Sequence, residues 1–465
     1  LSANLFNIYI NDLTTSFTND CKPVIIGTTE VNCLLYADDL ILLSETPIGL
    51  QNQLNILHDY CQRWKLEVNY CKSKIIIFEN RKEHIPRNYN FQIDSNPIER
   101  VYSYKYLGII IDYKGDFAEA KVDLHHRAQR AYFKLRKLLS INFVQPKLYL
   151  NIFDKTVIPV LTYGSEIWGI FNTNTKRYRK NKSPDYLYEE SLSEKLHTKF
   201  CKILLNVNQK SSNIATRAEL GRYPVMITIL ANVICYRSRL ESNSCTGLLK
   251  ESFNDDIMMS TKGIPTWYSC SEEILKVSKI SINQLRNWTS KTIRKRAIKY
   301  MRLSYDSHFR ETLFNDTRKD PNELNKLRTF RQFKTIIKYE PYLNCNLPKS
   351  IICNYTKLRI SAHKLNIETA RYIKAPLPQR TQQKLIARKC VNCDLMKDED
   401  EIHFLLKCPK YNNIRQEFLN QVFLLFKNTK SLDTNQLFIW LMSNEDFSIT
   451  TRTMKFIDEC HRLRN

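Results

Sequence analysis

Two neighbouring carboxylates, Asp38 and Asp39, stand inside an apolar stretch: Val31-Asn32-Cys33-Leu34-Leu35 comes before Tyr36-Ala37, and Leu40-Ile41-Leu42-Leu43 follows. Burying an unpaired charge costs far more than the flanking leucines return. The pattern therefore predicts two short strands and a tight turn from which the carboxylates project. A pair of hard oxygen donors suits Mg²⁺, which keeps several waters and shares its shell with phosphates. Phosphoryl and nucleotidyl transfer use such ions to hold the attacking and leaving oxygens. On these four residues alone a merely solvated turn fits as well, because Asp is common in turns.

A second constellation lies far downstream. Cys390, Cys393, His403 and Cys408 spell C-x2-C-x9-H-x4-C. Three thiolates and one imidazole make a closed tetrahedral Zn²⁺ set that leaves no position for a substrate, so the implied role is structural. Such a clip would present Arg388, Lys389, Lys407 and Lys410 to RNA. Most of the other cysteines, among 14 in all, are isolated, which suits reduced buried residues better than a disulfide framework.

These residues need a scaffold. Leu50, Leu54, Leu57, Cys61 and Trp64 form a helical stripe that predicts a helix over 50–66, packed under a sheet. The β-branched run ending at Phe78 predicts a strand within 69–78, residues 81–97 with Pro86 and Pro97 read as a hairpin or loop, and 102–113 is again strand-like. Over 117–140 Leu124, Ala128, Ala131, Leu135 and Leu138 make a narrow apolar seam of a long helix. Arg127, Arg130, Lys134 and Lys137 form a second stripe about 100° round from that seam, either a nucleic-acid-binding edge or an ordinary solvated face. Residues 172–193 read as a polar surface insertion and 194–340 as mainly helical. The latter stretch contains a basic cluster, Lys291, Arg294, Lys295, Arg296, Lys299 and Arg302, interleaved with Tyr300. Segments 416–426 and 437–442 read as amphipathic helices, and the carboxylates after Cys408 show no nuclease spacing.

At 465 residues with 43% hydrophobic residues, two or three folded domains are expected. Lys+Arg 71 against Asp+Glu 47 gives a formal charge of +24, which favours a polyanionic partner through counterion release. Only 9 glycines and no P-loop or dinucleotide fingerprint argue against a glycine-cradled phosphate site. The most apolar later segment, 148–171, contains Asp154, Lys155, Pro159 and Glu166, so no membrane partner is expected.

The motifs share one order. The opening Leu1 to Leu13 helix, Tyr36-Ala37-Asp38-Asp39, Trp64-Lys65-Leu66-Glu67-Val68-Asn69 with Lys72-Ser73-Lys74, Tyr104-Lys105-Tyr106-Leu107-Gly108-Ile109, Pro159-Val160-Leu161-Thr162-Tyr163-Gly164, the 358–372 approach and the Cys/His set together resemble the reverse transcriptases of non-LTR (LINE-type) retrotransposons. The resemblance implies an α+β palm remainder (1–115), a thumb (116–171), a mainly α-helical linker region (172–380), a small CCHC zinc-knuckle region (381–412) and a helical C-terminal tail (413–465). It implies Asp38 as an Mg²⁺ ligand with Asp39 supporting it, and Lys72, in competition with Lys74, near the leaving pyrophosphate. Tyr106, Leu107 and Gly108 would form a primer grip, and Arg127, Arg130, Lys134 and Lys137 would bind nucleic acid. The implied cofactors are Mg²⁺ and structural Zn²⁺; the implied partners are an RNA template, a DNA primer or target and dNTPs; the implied setting is intracellular, in nucleus and cytoplasm. In the family another metal-binding aspartate precedes the opening helix. Because the sequence begins at Leu1, the expectation is a C-terminal portion with an incomplete metal site, inactive alone. A catalytically inactive RNA-binding module and a degenerate element remnant are the alternative readings.

Overall fold

Short antiparallel ribbons shape the first 112 residues. In the computed structural model, which describes residues 2–78, 89–140, 144–170, 191–315, 325–374, 376 and 379–464, helix α1 (Ser2–Tyr9) leads into β1 (Val24–Ile26) and β2 (Thr29–Val31), then β3 (Cys33–Tyr36) and β4 (Asp39–Leu42). Helix α2 (Pro47–Trp64) follows, then β5 (Lys74–Ile75), β6 (Phe91–Ile93), β7 (Asn96–Arg100), β8 (Ser103–Tyr106) and β9 (Ile109–Asp112). β1–β2, β3–β4, β6–β7 and β8–β9 are antiparallel pairs, and β5 runs parallel to β7 with Lys74 opposite Glu99.

Helix α2 forms where the stripe predicts it. The Thr46 hydroxyl accepts from Gly49 N at 3.0 Å, Pro47 occupies the first turn, and Lys65 closes the helix in the left-handed region. A Cβ on Gly49 would come within 2.4 Å of the Cys21 carbonyl oxygen, so only glycine allows this approach. The buried face of α2, Leu54, Leu57, Tyr60 and Cys61, packs with Leu13, Ile75, Phe91, Ile93 and Ile98 into one core, against which Leu35, Leu40 and Leu42 of the β3–β4 ribbon rest. The 69–78 strand is shorter than expected. Only Lys74–Ile75 pair, Val101 N closes on Ile75 O at 2.9 Å, and Phe78 is largely exposed. β-branched residues favour a strand, but the ladder needs a partner, and β7 ends there.

The chain divides into two compact units: Leu1–Leu124 with Tyr163–Arg179 and Ile229–Tyr300, and His125–Thr162 with Lys180–Thr228 and Met301–Asn465. The first unit holds the ribbons, α2, and helices that include Gly247–Thr261, Trp267–Ser278 and Ile282–Asn287. The second is mainly helical and is cemented by buried charge. Glu194, fully buried, accepts from Arg217 at 2.8 Å and Val225 N at 2.8 Å and bonds His197 at 3.1 Å; Glu219 takes Arg359 at 3.0 and 3.1 Å. The Phe153 and Phe200 rings stack at 3.7 Å.

Helix α3 (Ala118–Leu138) is the long helix of the 117–140 reading, with a different seam: Ala120, Leu124, Ala128, Tyr132 and Leu135 are buried, while Leu138 is 72% exposed. Tyr132 replaces Leu138 because its ring meets Phe153 and Phe200 edge-on. Much of the 172–193 insertion, including 176–182, and residues 81–88 of the expected hairpin lie outside the described residues. Among the described residues no helix is long and apolar enough to cross a membrane.

Candidate active site and candidate metal centre

The β3–β4 register places Leu35 opposite Leu40 and Tyr36 opposite Asp39, which leaves Ala37-Asp38 as a two-residue turn. Side chains alternate across the ribbon. Leu35, Leu40 and Leu42 therefore take the core face, while Tyr36 and Asp39 take the other, and both Asp38 and Asp39 are exposed. The turn needs support, since Ala37 sits at φ 53°, a conformation costly for a residue with a Cβ. Asn7 of α1 supplies it, accepting from Ala37 N at 3.0 Å. α1 and the turn after it are tied to α2 by Tyr9 Oη on Trp64 O at 2.9 Å and by Tyr60 Oη on Asp12. The spacing of motifs gives no sign of Asn7.

The second hairpin lies alongside this chemistry. Leu107 and Gly108 form the β8–β9 turn with φ 45° and 82°, the paired positive values of a type I′ turn. Tyr163 Oη donates to Leu107 O at 2.9 Å, and a Cβ on Gly108 would sit 3.3 Å from the Tyr163 ring. Tyr104 and Tyr106 share one face of β8. Tyr104 Oη donates to Lys72 O at 2.9 Å; the Tyr106 phenol is pushed up by burial and by the Asp39 carboxylate. Tyr104 thus ties β8 to the Lys72 backbone, and Tyr106 lies within electrostatic reach of Asp39. The structure also separates the two lysines: Lys74 Nζ is engaged by Glu99 at 2.7 Å, whereas the exposed Lys72 ammonium has no partner among the described residues. On α3, Arg130, Lys134 and Lys137 are exposed and Arg127 is half-buried. Arg130, Lys134 and Lys137 make no ion pair among the described residues, so three of the four positions are solvated.

A family profile described as reverse transcriptase (RNA-dependent DNA polymerase) matches residues 1–111, the span that contains both hairpins. Residues 1–111 are a reverse-transcriptase segment. Curated relatives that the chain matches are named as proteins of mobile elements. The chain is 24% identical over 178 residues to the RNA-directed DNA polymerase from mobile element jockey of Drosophila melanogaster, covering 37% of this chain and 19% of that protein. It is 30% identical over 142 residues to the probable RNA-directed DNA polymerase from transposon BS of the same fly, covering 29% and 16%. It is also 29% identical over 147 residues to a putative uncharacterized transposon-derived protein of Caenorhabditis elegans, covering 31% of this chain and 52% of that one. The chain thus spans about half the length of the nematode relative and under a fifth of the fly polymerases.

The segment carries the adjacent carboxylates Asp38 and Asp39. Among the described residues no third carboxylate, histidine or cysteine joins Asp38 and Asp39 in a metal-binding group. Cys390, Cys393, His403 and Cys408 do form one, with ligand atoms all within 4.8 Å of one another. Cys390 Sγ and Cys408 Sγ lie 4.0 Å apart, and Cys393 Sγ is 3.4 Å from His403 Nε2. Tetrahedral Zn–S bonds of about 2.3 Å would set sulfurs roughly 3.8 Å apart, so the donor set fits. The knuckle is made by a Lys389–Asp398 bridge and Cys390 N on Lys397 O at 2.9 Å, and the return by a π-turn over His403–Lys407. Burial lowers the His403 pKa, toward the neutral ring that a ligand needs, and pushes the Cys390 thiol up to about 12, a position a bound cation would reverse.

Support for this centre comes from residues that spacing does not reveal. Glu399 and Glu401 are both 1% exposed. Glu399 accepts from Arg464 Nε and Nη2 at 2.8 Å and from Asn366 N at 2.8 Å. Glu401 accepts from Arg328 at 2.7 Å and bonds His363 Nε2 at 2.9 Å. Arg328 also reaches Glu368 at 2.8 Å. The 358–372 approach motif and the Cys/His segment are therefore one polar network. Of the basic residues expected around the clip, Lys407 and Lys410 are exposed, Lys389 pairs with Asp398 at 2.9 Å, and Arg388 is buried, so Arg388 is not offered to a ligand.

Proposed function

We propose that this chain is the C-terminal part of an RNA-directed DNA polymerase that extends a primer 3′-hydroxyl with dNTPs on an RNA template. The observation that carries the reading is the exposed Asp38–Asp39 pair on a strained two-residue turn, with Tyr106 within electrostatic reach of Asp39, inside the segment matched by the reverse-transcriptase profile. When bound, divalent cations supply the positive charge that nucleotidyl transfer needs at the attacking and leaving oxygens. Asp38 would hold them directly, with Asp39 in support. Tyr106, Leu107 and Gly108 would position the primer end by close backbone approach. Lys72, the lysine not engaged by Glu99, would give a proton to the leaving pyrophosphate. The α3 stripe of Arg127, Arg130, Lys134 and Lys137 would hold the template–primer duplex. The architecture that accompanies this reading is a palm remainder over 1–115, a thumb over 116–171, a helical linker region over 172–380, a zinc knuckle over 381–412 and a tail over 413–465.

The third carboxylate of the polymerase centre would come from outside the described residues; the family resemblance implies a strand ahead of α1. The test is primer extension on an RNA template with Mg²⁺ or Mn²⁺. Residues 1–465 alone should be inactive, and the same chain joined to a segment carrying that carboxylate should incorporate dNTPs. Strong extension by residues 1–465 would show that the carboxylates are misassigned. RNA binding without synthesis by both proteins would make the chain a binding module.

A further inference from the structure

A cavity of about 590 Å³ opens in the first unit, walled by the last turns of the Met226–Glu241 helix, by residues 285–290 and by Glu166. It is a shallow recess, wide open to solvent. Its walls are set by interactions within the unit. Asn232 donates to Ser165 Oγ at 2.8 Å and accepts from Arg294, and Ser238 Oγ donates to Leu285 O at 3.0 Å.

The lining carries an excess of cation. Glu241 is shared between Arg237 at 2.9 Å and Arg286 at 3.2 Å. Exposed Arg239 has no ion pair among the described residues. Arg239 and the outer part of Arg286 are donors suited to a phosphate, while the Ser242 hydroxyl donates to the Arg239 carbonyl oxygen at 2.8 Å and lies 2.9 Å from Ser244 Oγ. Trp288 also lines the cavity, and its ring carries the Arg296 guanidinium at 4.9 Å. An indole backed by a cation is a platform for a base, because aromatic stacking and Arg contacts tolerate any nucleobase. The Glu166 carboxylate adds an acceptor for a ribose hydroxyl or a base N–H. A bare inorganic anion would use the arginines but not Trp288 or Glu166. We infer that this cavity binds one nucleotide unit, phosphate on Arg239 and Arg286 and base on Trp288, as a free mononucleotide or as one nucleotide of a single strand.

This site shares no residue with Asp38, Asp39, Lys72 or Tyr106, so it stands apart from the polymerase reading and is tested by binding alone. The full chain is titrated in about 0.3 M salt, which suppresses sequence-independent phosphate attraction. The two probes are uridine 5′-monophosphate and a labelled five-nucleotide single-stranded RNA. Arg239→Glu should weaken binding of whichever probe is held by about tenfold or more, while Lys262→Glu, the same charge change on an exposed lysine outside the cavity, should change it less than twofold. Trp288→Ala should weaken it about tenfold with an unaltered salt slope, because stacking releases no counterions. Binding of the mononucleotide supports a free-nucleotide site, and binding of the oligonucleotide alone supports a strand site. Equal effects of Arg239→Glu and Lys262→Glu, or binding of neither probe, would overturn the assignment.

Discussion

Asp38 and Asp39 stand in solvent on a turn that one side chain, Asn7, braces, whereas Cys390, His403 and Cys408 are buried within a network that reaches from Arg328 to Arg464. One centre offers two hard oxygens and leaves the rest of a coordination shell open. The other offers four soft or borderline donors and leaves nothing open. The contrast follows from the chemistry each is proposed to serve. A reaction centre must yield ligand positions to substrate oxygens, while a structural centre gains most when the protein fills every position. It also explains the scaffolds. An exposed pair of carboxylates loses little hydration and can be carried by a small ribbon, but a buried set of thiols needs neighbours that hold it in place.

The largest effect should come from the open site. In a polymerase-competent form of the chain, Asp38→Asn should lower templated dNTP incorporation by at least about 10³-fold, since it removes a group whose charge is used only in the reaction. RNA affinity and thermal stability should stay near those of the parent, because the side chain is exposed. A marked loss of stability would mean that the hairpin carboxylate is a structural group like the thiols, and the contrast would fail.

Removing the closed site should act in the opposite sense, on integrity more than on chemistry. The chain should hold one Zn²⁺, and Cys393→Ser should release it. The sequence, polar between Cys393 and His403, implies that metal supplies much of the folding free energy over about residues 385–412. The buried Glu399 and Glu401 pairs restrict that expectation, so proteolytic opening should be confined to about residues 390–398 while the helices around Arg328 and Arg464 remain protected. RNA binding should weaken only severalfold. A protein without zinc, or an unchanged protease pattern in Cys393→Ser, would remove the closed centre from the comparison.

How far each centre could be read in advance depends on how local its determinants are. Four ligands within nineteen consecutive positions, 390–408, and a carboxylate pair flanked by apolar runs are local patterns, and spacing exposes them. The helix under the sheet was legible for the same reason. Long-range partners were not. Glu99 pairs with Lys74 from 25 residues away, Arg464 meets Glu399 across 65 residues, and Asn7 reaches Ala37 across 30. Tyr132 enters the α3 seam in place of Leu138 only because Phe153 and Phe200 are there to receive its ring. Periodicity records which face is apolar, but the neighbour decides where the apolar face ends.

The response to pH should separate the closed centre from a buried ion pair elsewhere in the second unit. Zinc ligands must be deprotonated, so acidification should release the metal. The Glu194–His197 pair acts on the alkaline side. Burial alone would lower the His197 pKa, but Cys201 and Glu194 outweigh it and raise it from 6.5 to about 9. A raised folded-state value stabilises fully below the unfolded pKa and is lost as pH climbs through the folded one. Stability should therefore decline as pH climbs toward 9, by less than the whole shift implies, because His197 Nε2 accepts from Arg222 Nε at 3.2 Å, a role the neutral ring fills. His197→Gln should flatten that alkaline decline while zinc retention in acid stays as in the parent. A zinc-loss curve that moved with His197→Gln would show that the two effects are one.

A smaller effect is expected on α3. Replacing Arg127, Arg130, Lys134 and Lys137 with Gln should reduce the slope of log K against log salt for an RNA–DNA duplex by roughly 3, at about 0.7–0.9 for each phosphate that is no longer neutralised. Asp38→Asn should leave that slope alone, which distinguishes a binding face from the reaction centre. An unaltered slope in the four-residue variant would assign the stripe to an ordinary solvated face.

The smallest effect tests how lightly the open centre is held. Asn7 accepts the Ala37 N–H at 3.0 Å, and Ala37 adopts φ 53°, so one side-chain hydrogen bond offsets part of the cost of a strained turn. The bond is solvent-accessible, and its loss in Asn7→Ala should cost only about 1 kcal/mol, felt locally. Hydrogen exchange at Ala37 should speed up by several-fold while the α2 core keeps its protection. Activity in a polymerase-competent form should fall by about tenfold or less, because the carboxylates remain but spend less time in their working orientation. Ala37→Gly relieves the strain at its source and should recover part of that loss in the double variant. Were Asn7→Ala to abolish synthesis as fully as Asp38→Asn, Asn7 would be part of the reacting site and not its brace. The open centre would then be a three-group constellation, closer in construction to the Cys/His set than its exposure suggests.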